Sequence, residues 1–537
     1  MLEGMSKRGA SVVVVVGVLF LTGCGPLPAL IAIGAAAGAG AFHSGGGGGG
    51  GNGPAVVGVP SPPGPPAPPA PPPVPPPVPS PAPSPAPPPP GPPSSPPAVA
   101  SVTPDNGPIA GGTSVTISGA GFVSGSSVSI AGSPLVSVTV KDANTVSGVT
   151  STTIAVGLGD VVVSGTSGTG TLKAGFNYRL GLTQAGAPTA LGGYSASDLV
   201  VGDFNNDKKM DLAYAARDQF VSILLGDGTG AFPTIVTTPA PGAGIGFGIF
   251  GLAVGDLDKD GNLDVVASDI ASDYVIVFLG DGKGHLTYTA PAISTGPYPE
   301  SLVLRDFDGD GFLDAAVCIF GSGGGIIPAY VSVLLGDGAG HLGTISNFAT
   351  LNGPQQLAVT APGVDASLDI FTTNVQSQDV CFLRGNGDGT FKTEVSIPMD
   401  YNSALGTGDF NQTGRPQVFV AQAGTSPVYA WMDQFGNFQT KTITTALAAG
   451  HKNLVVVDLN RDGYPDVIAM ASTGTQHSVF LNDRKGGFVE YLFTGPECGT
   501  GPASSGKLAA ADFDGDGRID VAFASPHDNT LTVFLNK

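Results

Sequence analysis

Nine-residue acidic segments recur along the 537-residue chain. Asp256-Leu-Asp258-Lys-Asp260-Gly261-Asn262-Leu-Asp264 is one. Segment 306–314 repeats it with Asp306, Asp308, Asp310 and Asp314, and segment 512–520 with Asp512, Asp514, Asp516 and Asp520. Carboxylates at positions 1, 3, 5 and 9 meet only if the segment curls around a point, and a glycine at position 6 permits the sharp turn. Four such groups repel one another unless a cation lies between them. Hard oxygens, completed by the backbone carbonyl of position 7 (Asn262, Phe312, Arg518), suit Ca²⁺. An EF-hand shares the first half of this pattern but needs a Glu at position 12 and helices on both sides. Position 12 here is Ala267, Val317 or Phe523, and the flanks are short β-type runs such as Leu252-Ala-Val-Gly. The segment reads as a calcium loop between two strands.

The copies are unequal. They begin at Asp203, Asp256, Asp306, Ala361, Asp409, Asp458 and Asp512, in steps of 53, 50, 55, 48, 49 and 54 residues. Asp458, Asn460, Asp462 and Asp466, with the Tyr464 carbonyl, keep a full ligand set. Asp203, Asn205, Asp207 and Asp211, with the Lys209 carbonyl, keep theirs but have Lys208 in place of the glycine, so weaker binding is expected. The copy at 409–417 retains Asp409 as its only carboxylate, and the copy at 361–369 has lost positions 1 and 3; both are expected to stay empty. Five Ca²⁺ sites follow, the alternative being acidic turns without metal. Extracellular calcium modules bind at roughly 0.1–1 mM, so about 2 mM Ca²⁺ would stabilise the fold by roughly 0.7–1.8 kcal/mol per site.

A period near 50 residues with short strands signals a repeat array. Each unit reads as strand, acidic loop, strand, gap, strand, Gly-rich turn and last strand, which is one propeller blade. Gly226-Asp-Gly228-Thr-Gly230-Ala-Phe232 and Gly385-Asn-Gly387-Asp-Gly389-Thr-Phe391 show the Gly-rich turn. With both motifs recurring in phase, residues 180–537 resemble FG-GAP/VCBS repeats, the type that builds integrin α propellers. Seven copies imply an all-β, seven-bladed propeller. The chain ends on Leu531-Thr-Val-Phe-Leu535, a third strand, so Leu180–Leu191 is expected to supply the missing fourth and remove the open edges. Acidic loops and Gly-rich turns then share one face. The insertions 239–250, 320–329 and 494–506 fall on the other, where a partner is expected.

Upstream, Ala100-Ser-Val-Thr-Pro104 with Gly111-Gly112-Thr-Ser-Val115-Thr-Ile117, and the exit Asp160-Val-Val-Val to Tyr178, suggest a small β-sandwich. Residues 98–179 resemble the IPT/TIG immunoglobulin-like family, which implies a spacer or binding module. Residues 1–23, with Lys7, Arg8 and the apolar run 12–21, read as a secretory signal. Leu21-Thr22-Gly23-Cys24 resembles the bacterial lipobox, which implies acylation of Cys24, and Gly25 then points to the outer membrane. Residues 24–97 form a Gly/Pro-rich tether. Between Pro60 and Pro97, 25 of 38 residues are proline and none is charged, a composition for extended polyproline II reaching at most roughly 120 Å.

The net charge is −20, and 19 of the 42 acidic residues lie in the six Asp-initiated loops. Such acidity argues against nucleic acid as a partner. Three cysteines in the body (Cys318, Cys381, Cys498) give no disulfide framework. No Gly-x-Ser-x-Gly or His-Glu-x-x-His is present. His285 and His341 are read as packing residues equivalent to Phe232 and Phe391. His451 and His527 stand alone, and Trp431 is read as core. The chain is therefore expected to be a lipid-anchored, calcium-stabilised, non-catalytic binding or adhesion protein of the bacterial envelope, meeting a protein or glycan and touching the membrane only through its lipid. A propeller hydrolase or lyase and a glycan-binding propeller are the alternatives.

Overall fold

The computed structural model describes residues 95–537 except 193–195, 217–219, 241–247, 322–327, 361–366, 400–401, 448–449, 499–505 and 526. The leader, Cys24 and the proline-rich segment lie outside the described residues. So do the first six residues of the 361–369 copy and the middle of each insertion. No helix occurs among the described residues.

The first 85 described residues fold into two sheets. One orders Ala98–Thr103, Ser114–Ala120, Thr145–Val149 and Val136–Asp142; the other orders Asn106–Pro108, Gly168–Arg179, Gly157–Gly165, Ser127–Ile130 and Ser133–Pro134. Period-two alternation puts one face of each strand inside. Ile117, Val146, Val161, Val163 and Phe176 are fully buried between the sheets.

From Ala196 onward the described chain forms six four-stranded antiparallel sheets, each pairing its strands in chain order. A seventh follows, made of Lys507–Ala511, Asp520–Ser525 and Thr530–Asn536. Leu182–Gln184 and Thr189–Ala190 complete it, with Leu182 opposite Asn536 and Thr189 opposite Leu531. The fourth strand expected from Leu180–Leu191 is thus present. First strands touch one another in succession, and Lys507–Ala511 also touches Ala196–Gly202, which closes the circle. Because each sheet is covered on both faces by its neighbours, the inner strands lose their alternation; Ala196–Gly202 is buried at every position. Four residues before each loop stands a leucine: Leu199, Leu252, Leu302, Leu357, Leu405, Leu454 and Leu508, none more than 5% exposed. Burying each contributes about 1.5–3 kcal/mol.

Polar bonds join the sheets at both ends of the inner strands. At the end away from the loops, the Leu252 N–H donates to Asp198 Oδ2 (2.8 Å), the Leu405 N–H to Gln356 Oε1 (3.2 Å), and Asn453 Nδ2 to the Gly506 carbonyl (3.0 Å). At the loop end, the position-2 carbonyl of each of the six loops described there accepts a bond from the next sheet. Gly284 N–H reaches Phe204 O (2.9 Å), Gly340 reaches Leu257 (3.3 Å), Gly389 reaches Phe307 (3.0 Å), and Gly230 reaches Phe513 (3.2 Å) across the closure. Two junctions use a side chain instead: Asn482 Nδ2 to Phe410 O (2.8 Å) and Asn536 Nδ2 to Leu459 O (3.0 Å). Glycine is required in these turns. Gly284 has φ +84°, and a Cβ there would lie 2.9 Å from Leu225 Cδ2 of the preceding sheet.

One expectation is overturned. His285 and His341 do not pack; their side chains are 62% and 67% exposed, with Nδ1 3.1 and 3.0 Å from Asp281 and Asp337 of the same turns. The residues that take the place of Phe232 and Phe391 are Leu286 and Leu342, one position on, both buried. Counting from the first glycine of each turn, His285 matches Ala231, so the equivalence was displaced by one residue.

Candidate metal centres

In each described loop the backbone folds around its own carboxylates. Position 1 accepts from the N–H of position 6: Gly261 to Asp256 Oδ2 (3.1 Å), Gly311 to Asp306 Oδ2 (2.9 Å), Gly463 to Asp458 Oδ2 (2.8 Å) and Gly517 to Asp512 Oδ2 (2.7 Å). In the first copy Lys208 N–H does the same to Asp203 Oδ2 (2.8 Å). Position 3 accepts from position 5 and position 5 from position 7: Asp310 N–H to Asp308 Oδ1 (3.1 Å), Phe312 N–H to Asp310 Oδ1 (2.7 Å). Asn205 and Asp207, Asp258 and Asp260, Asn460 and Asp462, and Asp514 and Asp516 repeat this pair. Position 6 lies in the left-handed region in every described copy, from Gly261 (φ +90°) to Gly414 (φ +63°), with Lys208 at φ +68°. Position 4 does too, with Asn206, Lys259, Gln412 and Arg461 between +54° and +60°. That second reversal was not legible, because position 4 is a glycine only in the copies with Gly309 and Gly515.

Position 9 ties the loop to its sheet. Asp211, Asp264, Asp314, Asp466 and Asp520 are fully buried. One oxygen of each accepts from the position-2 N–H, as Phe307 does to Asp314 Oδ2 (2.8 Å). The other accepts from the end of the third strand: Gly226, Gly280, Gly336, Asn482 and Asn536, at 2.7–2.8 Å. Burial pushes Asp211, Asp264, Asp314 and Asp520 up to about 6; their backbone donors oppose the shift and the neighbouring loop carboxylates add to it. Asp466 is raised well above its usual value for the same reasons.

In three copies carboxylate oxygens lie within 4.8 Å of one another: Asp256, Asp258 and Asp260; Asp306, Asp308 and Asp314; Asp512, Asp514 and Asp520. Asp256 Oδ1 is buried and has no hydrogen-bond partner among the described residues. An all-oxygen set with an orphaned carboxylate oxygen fits a hard divalent cation. Lysines and arginines lie close by: Lys209 Nζ is 3.3 Å from Asp207, and Arg518 reaches Asp516 at 2.7 Å. Lys537 Nζ meets Asp514 and lies 3.5 Å from Asp516 Oδ2. The copy at 361–369 is described only from Ser367, and Asp369 there accepts from Gly385 N–H (2.9 Å).

Loop 458–466 differs in its surroundings. Arg484 pairs with Asp462 (2.9 Å). Residues 152–154 of the sandwich lie over it, with Asn460 Nδ2 donating to Thr153 O (3.4 Å) and Tyr491 OH to Ile154 O (2.7 Å). Adjacent loops also touch: Asn206 Nδ2 donates to Asn262 Oδ1 (2.7 Å), and Lys259 Nζ sits 4.3 Å from the Phe312 ring centroid.

An FG-GAP-like repeat model matches residues 203–267, 264–317, 409–469 and 458–523, and an IPT/TIG domain model matches residues 97–179. No curated protein matches the chain. Among solved structures it is similar to an auxiliary nutrient binding protein from Bacteroides ovatus ATCC 8483, at 12% identity and a TM-score of 0.38, covering 82% of this chain and 98% of that one. It is similar to BBS1N in complex with ARL6DN, at 12% identity and a TM-score of 0.45, covering 67% and 98%. A structural genomics protein of unknown function from Bacteroides thetaiotaomicron VPI-5482 matches at 12% identity and a TM-score of 0.35, covering 82% and 98%. Residues 203–317 and 409–523 thus carry FG-GAP-like repeats, and residues 97–179 form an IPT/TIG domain.

Proposed function

We propose that this protein is a calcium-stabilised binding or adhesion module, held at the bacterial envelope by a lipid on Cys24 and acting without catalysis. The observation that carries the calcium reading is the convergence of carboxylates within 4.8 Å in three loops. The orphaned Asp256 Oδ1 supports it. When bound, the ion would neutralise the clustered charge and fix loop to sheet. Asp256, Asp258, Asp260 and Asp264, with the Asn262 carbonyl, would hold it in the second sheet, and the equivalent residues in the first, third, sixth and seventh.

The binding role rests on where polar groups are engaged. Asp198, Gln356 and Asn453 of the inner strands each bond to a neighbouring sheet, which gives them a part in joining the sheets. His477 Nδ1 accepts from Ala471 N–H (3.3 Å) while Nε2 faces Pro496 O (3.0 Å), so both ring nitrogens are occupied inside a sheet. Trp431 stacks on Tyr429, centroids 5.1 Å apart, as part of the packing. The partner is a protein or glycan meeting the face that carries the insertions.

The test is a pull-down from envelope fractions with the purified protein in Ca²⁺ and in chelator, beside melting curves in both. A partner retained only in Ca²⁺, with a lowered midpoint in chelator, supports the reading. Equal midpoints in the two buffers overturn the calcium part. Incorporation of labelled palmitate that persists after Cys24→Ala overturns the anchor.

A further inference from the structure

The copy at 409–417 is built around a side chain. Gln417 Nε2 lies 2.8 Å from Asp409 Oδ1, 2.8 Å from Asn411 Oδ1, 3.3 Å from Thr413 Oγ1 and 3.3 Å from the Arg415 carbonyl. These four oxygens are the ligands of positions 1, 3, 5 and 7. The amide nitrogen therefore stands where an ion stands among the same positions of an intact copy. Its two hydrogens serve the two short contacts and share the two longer ones. The other end of the amide faces donors only: Tyr429 OH (2.7 Å) and Asn411 N–H (3.2 Å) both donate to Oε1. Four acceptors at one end and two donors at the other fix which way the amide points.

A second change in the same sheet serves this one. Counting back from the end of the third strand, Tyr429 takes the position held elsewhere by Ile223, Val277, Val333, Phe382, Val479 and Val533. Its hydroxyl is the only polar group among the seven, and it occurs where the glutamine needs an anchor. Tyr429 is 1% exposed and packed edge-on against Phe410 and Phe488. The third-strand N–H that elsewhere serves the position-9 carboxylate is redirected too, from Met432 to Pro416 O (3.0 Å).

We propose that the Gln417 carboxamide is a built-in occupant of the fifth loop, taking the cation's seat so that this sheet stays closed at any calcium concentration. The inference rests on the reading that the intact loops take calcium. A neutral amide balances a loop that has one carboxylate, as a divalent ion balances loops that have three or four. The fifth sheet is then the calcium-indifferent member of the ring.

Three variants of the full chain test it, read by bound Ca²⁺ per chain in equilibrium dialysis and by melting midpoint in Ca²⁺ and in chelator. Asp409→Asn is expected to leave the calcium count unchanged; a loss of one equivalent overturns the proposal. Gln417→Ala is expected to lower the midpoint equally in both buffers, since it leaves the loop oxygens facing one another in either; a loss confined to one buffer overturns it. Thr413→Asp with Gln417→Asp gives the loop the ligand set of 458–466 and is expected to add one equivalent; a folded variant with an unchanged count overturns it. If the unaltered chain binds no calcium at all, the calcium reading fails, while the buffer-independent loss in Gln417→Ala still stands or falls on its own.

Discussion

The third and fifth sheets present two solutions to one loop. In the third, Asp306, Asp308 and Asp314 bring carboxylate oxygens within 4.8 Å of one another, which on the proposed calcium reading is a seat for the ion. In the fifth, Gln417 and Tyr429 supply the filling from within. The backbone is the same in both: Gly311 and Gly414 are left-handed at φ +87° and +63°, and each donates to the first aspartate. The loop geometry therefore does not depend on charge. On the proposed reading the carboxylates add a seat for a cation, and the fifth sheet fills the same seat with a longer side chain at position 9 anchored by a buried tyrosine hydroxyl.

The largest effect that can sharpen this comparison is removal of calcium from the whole ring. Five sites at roughly 0.7–1.8 kcal/mol each amount to several kcal/mol, so the melting midpoint should fall on the order of 10 °C in chelator. Hydrogen exchange followed sheet by sheet should show the third sheet opening and the fifth unchanged. Uniform loosening would erase the distinction.

Next in size is the strap that both kinds of loop need. Asp314→Ala leaves the Phe307 and Gly336 N–H groups buried without acceptors. It should cost about 3 kcal/mol by denaturant unfolding. Most of that loss should persist in chelator, because the bonds to backbone do not involve the ion. A loss seen only in Ca²⁺ would make position 9 a ligand and nothing more.

Acidification separates the loaded from the stripped protein. In the stripped protein the position-9 carboxyls, raised to about 6, hold protons in the fold that the unfolded chain, near 3.9, does not. Their contribution is full below about pH 4 and is lost as the pH rises through about 6. Burial holds His451 and His477 down at about 4, against about 6.5 unfolded; their contribution is lost as the pH falls through that window. Calcium keeps the carboxylates ionised, which removes the first effect and leaves protons competing with the ion. From pH 7 to 5 the midpoint should therefore fall further in calcium-loaded than in calcium-stripped protein. Equal falls would mean the buried carboxyls do not sense the ion.

Much of this was readable beforehand, and the reasons differ by residue. The 50-residue period and the carboxylate spacing carry the sheet order because both motifs sit at strand ends, where sequence and geometry coincide. The closing strand at Leu182–Gln184 followed from a missing fourth strand. Gln417 was legible only as a lost ligand, because nothing local says that its amide turns inward; Tyr429, 12 residues away, supplies the reason. The junction asparagines Asn482 and Asn536 were invisible because their partners lie 72 and 77 residues away. The histidine turns failed by one position of register, which exchanges a buried residue for an exposed one.

The smallest effect concerns the one loop that keeps its ligands but not its glycine. Lys208 is exposed, holds φ +68°, and donates its N–H to Asp203 Oδ2. The left-handed conformation costs a residue with a Cβ about 1–2 kcal/mol, and glycine adopts it freely. Lys208→Gly should therefore stabilise the protein by about 1 kcal/mol, less the greater entropy that glycine gives the unfolded chain. The gain should appear in chelator as well as in Ca²⁺, because the strain relieved is in the backbone of Lys208 and not in a ligand of the ion. The first loop's calcium affinity should also rise toward that of 458–466, which shares its Asp, Asn, Asp, Asp set, by removal of a cationic side chain beside the site. A higher midpoint with unchanged affinity would show that the backbone strain alone was relieved. No change in either would mean that Lys208 is held in place by contacts that repay its conformation.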